Sequence, residues 1–223
     1  MKATITSLIF LLLSLTVSSQ TYKYIGIEEG LSNQKIYKIQ KDARGYMWFL
    51  THVGIDQYNG KEIKHYKLRE GNRELDPLLN INWTFLDKTG TLLVTGKQGR
   101  IFRYDSGHDR FVQIYNMYNY WNKDYHAFVR YSYIDQEDNV WLCGKSAIHL
   151  FNIESGQKQQ ISNRLGNITC IEQINSEHFF IGTDKRIYLA KLENGNLKEL
   201  SCGKLGMMDM QVIFPSRLEI CCF

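Results

Sequence analysis

Beyond its first twenty residues the chain carries no long apolar run. The one such run, Ile5 to Val17, is interrupted by Thr6, Ser7, Ser14 and Thr16. It falls short of the roughly 20 residues a membrane-spanning helix needs, so no membrane span is expected in the mature chain. Clusters of basic residues are missing too. The net charge is +4, and Lys and Arg are scattered, which leaves no electrostatic footprint for nucleic acid. No HExxH, no glycine-rich phosphate loop and no CxxC or Cys/His spacing occurs, so no metal and no cofactor is expected. None of His52, His65, His108, His126, His149 and His178 stands in a Ser/His/Asp or Cys/His arrangement. No long amphipathic helix is present to carry a phosphoacceptor histidine, so a kinase cannot reside here. The five cysteines are Cys143, Cys170, Cys202, Cys221 and Cys222. An odd count leaves at least one free thiol, and Cys143, inside a β run, is expected to act as a small buried apolar group.

What the chain does contain is a repeat. Ile36 to Gln40 alternates apolar and polar residues, Asp42-Ala43-Arg44-Gly45 is a turn, and Tyr46 to Thr51 is an aromatic β run. After Gly54, Ile55 to Tyr58 resumes the β pattern, and Asn59-Gly60 signals a type I′ hairpin before Glu62 to Leu68. This is a four-stranded meander. The turn recurs at Asp87-Lys88-Thr89-Gly90 and at Asp135-Gln136-Glu137-Asp138. Trp48, Leu93 and Trp141 each stand six residues after their aspartate, and Phe180 marks a weaker fourth copy. Ile55, Ile101, Ile148 and Ile187 open the third strand of each copy. A period of about 40–50 residues with four strands per copy is the mark of propeller blades.

Geometry assigns work to these positions. The aspartate bonds its own backbone two residues on, and glycine takes the φ > 0 position. The aromatic enters the gap between neighbouring sheets. Asp42, Gly45, Trp48, Thr51, Gly54, Asp87, Gly90, Asp135 and Trp141 are therefore read as structural residues of the repeat. In the third copy Asn139 stands before Val140-Trp141 where the first has glycine.

The stretch from Gly30 to Gly60 resembles the propeller repeat in the periplasmic sensor region of hybrid two-component regulators of the Bacteroidetes type. Leu31, Ser32, Asp42, Gly45, Trp48, Thr51, Gly54 and Tyr58 occupy the places of that repeat. The resemblance spans about Gly30 to Ser201. It implies an N-terminal, ligand-sensing part of a receptor that controls use of a polysaccharide. Its partners would be an oligosaccharide, the remainder of the receptor and a second copy in a homodimer, with kinase and DNA-binding parts elsewhere.

Two rival readings follow from the residues. One is a secreted propeller hydrolase or lyase acting on glycans, with carboxylates such as Glu28, Glu62, Asp56 or Asp124. The Asp42-x-x-Gly45 spacing is one residue longer than the sialidase Asp-box, which argues against it. The other is an interaction propeller, which lacks the Gly-His and Trp-Asp marks of WD40 repeats.

The expected fold is all-β: a partial propeller of about four blades in an open arc, after a signal peptide. Small residues Val17-Ser18-Ser19 mark cleavage, placing the chain in the periplasm. The expected segments are a signal peptide at 1–19, a lead-in strand at 20–35 and blade 1 at 36–78. Blade 2 with an aromatic loop follows at 79–128, blade 3 at 129–165, blade 4 at 166–206 and the start of a fifth blade at 207–223. The apolar, Cys-rich end departs from the repeat and reads as a truncated or frameshifted product. Lys67 to Leu78 reads as a loop. The aromatic, Asn-rich stretch from Tyr115 to Phe128 has no clean period. From it Tyr118, Tyr120, Trp121 and Tyr125 are candidates for stacking on a sugar, with Asn119 and Asn122 as hydrogen-bonding partners. The competing reading is that these rings cover the blade edge.

Overall fold

The computed structural model describes residues 22–120, 128–193 and 195–204. The expected signal peptide, Trp121, Asn122, Tyr125 and the segment 207–223 lie outside the described residues.

Four sheets follow one another, each a meander in simple order. Blade 1 is β1 (Ile36–Lys41), β2 (Met47–Thr51), β3 (Ile55–Tyr58) and β4 (Ile63–Tyr66). A small hairpin, β5 (Arg69–Glu70) and β6 (Arg73–Glu74), and a one-turn helix α1 (Pro77–Asn80) lead to blade 2. Blade 2 is β7 (Trp83–Leu86), β8 (Leu92–Thr95), β9 (Arg100–Asp105) and β10 (Arg110–Asn116). Blade 3 is β11 (Tyr131–Ile134), β12 (Asn139–Cys143), β13 (Ala147–Asn152) and β14 (Lys158–Ser162). Blade 4 is β15 (Ile168–Gln173), β16 (His178–Thr183), β17 (Arg186–Glu193) and β18 (Asn196–Lys204). The chain is an all-β partial propeller in an open arc.

The aspartate turns explain the six-residue spacing. Asp42 Oδ1 accepts the backbone N–H groups of Arg44 (2.9 Å) and Tyr46 (3.0 Å), while Oδ2 accepts the Trp48 indole N–H at 2.9 Å. Asp135 repeats the device with Glu137 (3.0 Å), Asn139 (2.8 Å) and the Trp141 indole (2.9 Å). One carboxylate thus closes the turn and satisfies the polar atom of a buried ring. In blade 2, Asp87 holds the N–H groups of Thr89 and Thr91, both at 2.9 Å. The Leu93 side chain has no N–H to offer, and Arg103, opposite it across β8 and β9, meets Asp87 Oδ2 at 2.7 Å. The left-handed position is filled by Gly45 (φ 88°), Gly90 (φ 74°) and Asp138 (φ 61°). In the third copy the residue at that position is therefore Asp138, not Asn139. Blade 4 has Ile174 in the aspartate's place. Its turn is closed by Asn175 Oδ1, which accepts from the backbone N–H groups of Glu177 (3.1 Å) and His178 (3.0 Å).

Period-two alternation builds three cores between the blades. Trp48, Leu50, Ile55 and Tyr66 of blade 1 meet Leu92, Val94, Phe102 and Tyr104 of blade 2. Leu93 and Ile101, on the opposite face of blade 2, meet Val140, Leu142 and Phe151 of blade 3. Trp141, Cys143, Ile148 and Leu150 then meet Ile171, Phe179, Ile181, Tyr188 and Ala190 of blade 4. The residue six after each aspartate (Trp48, Leu93 and Trp141) and the third-strand isoleucine of the same blade (Ile55, Ile101 and Ile148) point to the next blade. Thr51 closes the β2–β3 turn, accepting the Gly54 N–H at 3.2 Å and donating to the Gly54 carbonyl at 3.1 Å.

Three expectations change. Asn59-Gly60 does not form a two-residue type I′ turn. Tyr58 pairs with Ile63, leaving a four-residue loop. Gly60 alone takes positive φ (98°), while Asn59 Oδ1 accepts the N–H groups of Lys61 and Glu62, both at 2.9 Å. Its side chain caps the loop while its backbone stays out of the left-handed region. Tyr22 to Ile27, in the expected lead-in, forms no strand. A turn follows at 26–30, with Leu31 N–H bonded to the Gly26 carbonyl at 2.9 Å. The segment from Lys67 to Leu78 is not plain loop but holds β5, β6 and the start of α1.

The blade 2–blade 3 core also buries a histidine. His149 faces Leu142 across the β12–β13 pair and is 3% exposed. Burial pushes its imidazole down to about 4. The fold thus favours the neutral ring, whereas the unfolded chain protonates at its ordinary value near 6.5. Its contribution is complete above pH 6.5 and lost as pH falls toward 4. Between pH 7.5 and 4.5 this residue should remove about 2 kcal/mol of stability. Urea unfolding at both pH values should show a loss in the wild type larger by that amount than in His149→Leu.

Candidate ligand-binding face

The meander gives the arc two faces. One carries the aspartate turns. The other carries the β2–β3-type turns and all connections between blades. On the first face, backbone groups of successive turns are tied together. Ala43 N–H donates to the Gly90 carbonyl at 3.2 Å, Lys88 N–H to Asp138 Oδ1 at 3.1 Å and Gln136 N–H to Gln173 Oε1 at 2.6 Å. These bonds occupy the turns in joining the blades.

The connection face is built differently, and blade 2 carries most of its side-chain variety. Gln98 N–H donates to the Leu79 carbonyl (3.2 Å), Met117 N–H to Gly99 (3.0 Å) and Val129 N–H to Lys97 (2.9 Å). The turn 96–99 is thereby tied to both flanking connections. Beneath it lies Arg100, only 9% exposed. Its guanidinium donates to Asn80 Oδ1 (3.4 Å) and to Gln98 Oε1, and meets Glu70 Oε2 at 3.3 Å. Asn116 Nδ2 donates to the other Glu70 oxygen at 3.4 Å.

Next to this cluster the aromatic stretch begins. Tyr115 belongs to β10 and is buried, stacked on Phe151 of blade 3 at 4.7 Å. Asn116 caps a 3₁₀ turn, Met117–Asn119, by accepting the Tyr118 N–H at 3.1 Å. Tyr118 is half-buried against the blade 2–blade 3 core. Tyr120 is 53% exposed, lies parallel to Tyr115 at 5.6 Å and carries the Lys158 ammonium 4.2 Å from its ring centre. Asn119 is exposed beside it. Tyr118 thus packs, and Tyr120 and Asn119 reach solvent.

The carboxylates weighed for hydrolysis are not gathered. Asp56 is fully buried and accepts from Ser32 N–H and Oγ–H, both at 2.8 Å, and pairs with His65 Nδ1 at 2.8 Å. Here the carboxylate lies between serine and histidine, whereas nucleophile activation needs the imidazole between them. Glu28 and Glu62 are exposed in separate turns, and Asp124 lies outside the described residues. Among the described residues no group of three or more His, Cys, Asp or Glu could hold a metal ion. No described helix is long and apolar enough to cross a membrane.

Sequence reading did not single out Arg100, Glu70, Asn80, Gln98 or Asn116. No motif marks them, and only the fold of the 67–80 connection over blade 2 unites them. A hollow of about 590 Å³ opens at the rim between blades 3 and 4, lined in part by Ile161, Arg164, Leu165, Leu197 and Glu199.

Residues 30–52 match the family model of the two-component regulator propeller. Comparison with curated proteins found no match. Two extracellular domains of proteins assigned as hybrid two-component systems of B. thetaiotaomicron share the architecture. The first is 17% identical with a TM-score of 0.62, over 80% of this chain and 26% of its own. The second is 16% identical with a TM-score of 0.54, over 82% and 26%. A Bacteroides uniformis protein assigned as a 6-phosphogluconolactonase is 10% identical with a TM-score of 0.52, over 76% and 55%. At such identities the likeness concerns the fold alone. The chain spans about a quarter of the length of the two sensor domains. Its first repeat thus matches the two-component regulator propeller model, and its partial propeller resembles in fold the extracellular domains of those two hybrid two-component systems.

Proposed function

We propose that this chain is an extracytoplasmic ligand-sensing propeller of a two-component receptor, exported to the periplasm, that binds an oligosaccharide and performs no chemistry on it. The observation that carries this reading is the connection face of blade 2. There the β9–β10 pair holds a buried, hydrogen-bonded arginine on its blade 1 side, and the following 3₁₀ turn displays Asn119 and Tyr120 to solvent toward blade 3. Loops on a rigid scaffold suit binding, and an exposed ring next to amide side chains matches the mixed apolar and hydroxylated surface of a sugar. Trp121, Asn122 and Tyr125 continue the same stretch and complete the proposed site. In the intact receptor the remainder of the protein and a second copy would be the partners. Ligand binding would favour one arrangement of them and so bias a kinase across the membrane.

Calorimetry with a panel of oligosaccharides tests the reading. Saturable binding without turnover is expected. Tyr120→Ala should weaken it about three- to tenfold, the worth of one stacked ring. Unchanged affinity would remove the loop from the site. Turnover of any member of the panel would favour a glycan-active enzyme.

A further inference from the structure

We propose that Arg100 is the recognition point for a carboxylate-bearing oligosaccharide, and that Glu70 occupies it as an internal competitor until the ligand arrives. This deepens the ligand-binding reading above and rests on it.

A buried guanidinium is costly unless its charge is met. The Arg100 side chain is 10% exposed, and its ion-pair partner among the described residues is Glu70. The pairing is loose. Glu70 Oε2 stands 3.3 Å from Nη2, and Glu70 Oε1 takes Asn116 Nδ2 at 3.4 Å. Both lie beyond the usual 2.7–2.9 Å of charge-assisted bonds. The buried Arg100 Nε–H has no acceptor. A guanidinium fork reads a planar carboxylate through two parallel bonds. Here Glu70 meets the fork through Nη2 alone, Nη1 donates to Asn80 and Gln98, and the Nε–H is unused.

The competitor sits near the tip of a short hairpin whose base is anchored in the core by Leu68 and Leu75. Strands β5 and β6 have two residues each, and so short a hairpin is marginal without outside support. Beyond Arg100 and Asn116, its base is closed by Leu75 N–H to the Leu68 carbonyl at 2.9 Å and by an exposed Lys67–Glu74 pair at 2.8 Å. The Glu70 side chain is 40% exposed, so leaving Arg100 returns its charge to water at little cost. Arg69, Arg73 and Lys97 are exposed on the same face and would draw an anionic ligand toward it. Asn119 and Tyr120 stand three and four residues after Asn116, with Tyr120 stacked on Tyr115 toward blade 3, so a neighbouring unit of the oligosaccharide, rather than the ring bearing the carboxylate, would reach them. The resident partner is a carboxylate, which points to uronate rather than sulfate.

The test is titration of the chain with tetragalacturonide, its neutral methyl ester and a sulfated tetrasaccharide, in wild type, Glu70→Gln and Arg100→Lys, with melting curves to confirm folding. The acid should bind more tightly than its ester. Glu70→Gln should tighten acid binding about three- to fivefold, the worth of a half-exposed ion pair, and leave the ester unchanged. Arg100→Lys keeps the charge but loses the fork, and should weaken acid binding about tenfold. Acid binding indifferent to both substitutions would overturn the proposal, as would preference for the sulfated sugar. Equal binding of acid and ester would overturn it while leaving the ligand-binding reading intact. If none of the three sugars binds, a uronate ligand is excluded, and the wider panel above decides the ligand-binding reading separately.

Discussion

Trp48→Ala should lower the unfolding free energy of the chain by about 3–5 kcal/mol. Trp48 is completely buried. Its ring lies 4.8 Å from that of Tyr104, 5.5 Å from Tyr66 and 5.6 Å from Phe111. Those rings come from both blades, so the cavity would open at the joint and not within one sheet. The same joint is fixed at the rim by Asp109 Oδ1, which accepts from the Tyr66 and Tyr104 hydroxyls at 2.6 and 2.7 Å. Two anchored phenols cannot readily collapse into the void, which places the cost in the upper part of the range. Trp48→Phe separates packing from hydrogen bonding. It keeps most of the ring but removes the bond to Asp42, at about 1–2 kcal/mol. Urea unfolding of both variants measures the two terms, and a Trp48→Ala cost below 1 kcal/mol would show that the blades do not depend on the joint.

The second large effect is expected at Gly96→Ala. A β-carbon there would stand 2.3 Å from Asn80 Cα and 2.4 Å from both the Asn80 carbonyl carbon and the Leu79 oxygen. All three are backbone atoms, so the 77–80 connection itself must move. The cost should be about 3 kcal/mol, the upper end for overpacking. Because Asn80 and Gln98 flank Arg100, ligand affinity should fall with stability. Gly107→Ala is the control. Its nearest neighbour would be the Asp105 carboxylate at 3.4 Å, and a change within about 0.5 kcal/mol is expected. Thermal melts of the two variants, side by side, check the contrast.

Much of the fold was legible because the repeat couples local and global signals. Asp42, Asp87 and Asp135 mark turns by their own side-chain chemistry, and Trp48 and Trp141 mark the joints by size. The pairing of Asp42 with Trp48 was not legible as a bond, since the spacing shows a rule without its cause. The Asn59-Gly60 turn misled because Asn59 has two outlets. Its backbone could take the left-handed conformation or its side chain could cap the loop, and pairing of Tyr58 with Ile63 selected the second. The β5–β6 hairpin was missed because strands of two residues show no period.

The candidate site was legible only at its edge. Tyr118 and Tyr120 look alike in sequence, and one packs while the other reaches solvent, a difference set by the 3₁₀ turn between Asn116 and Tyr120. The Arg100 cluster draws on residues from position 70 to position 116, brought together by the way the connection folds over blade 2. No local pattern encodes such an encounter.

Backbone hydrogen–deuterium exchange of the chain, with and without the oligosaccharide that binds in calorimetry, tests the central claim most directly. The account predicts that protection gathers in segments 67–80, 96–100 and 116–120, all on the connection face of blade 2. Protection confined to the aspartate turns, or to the rim between blades 3 and 4, would contradict it.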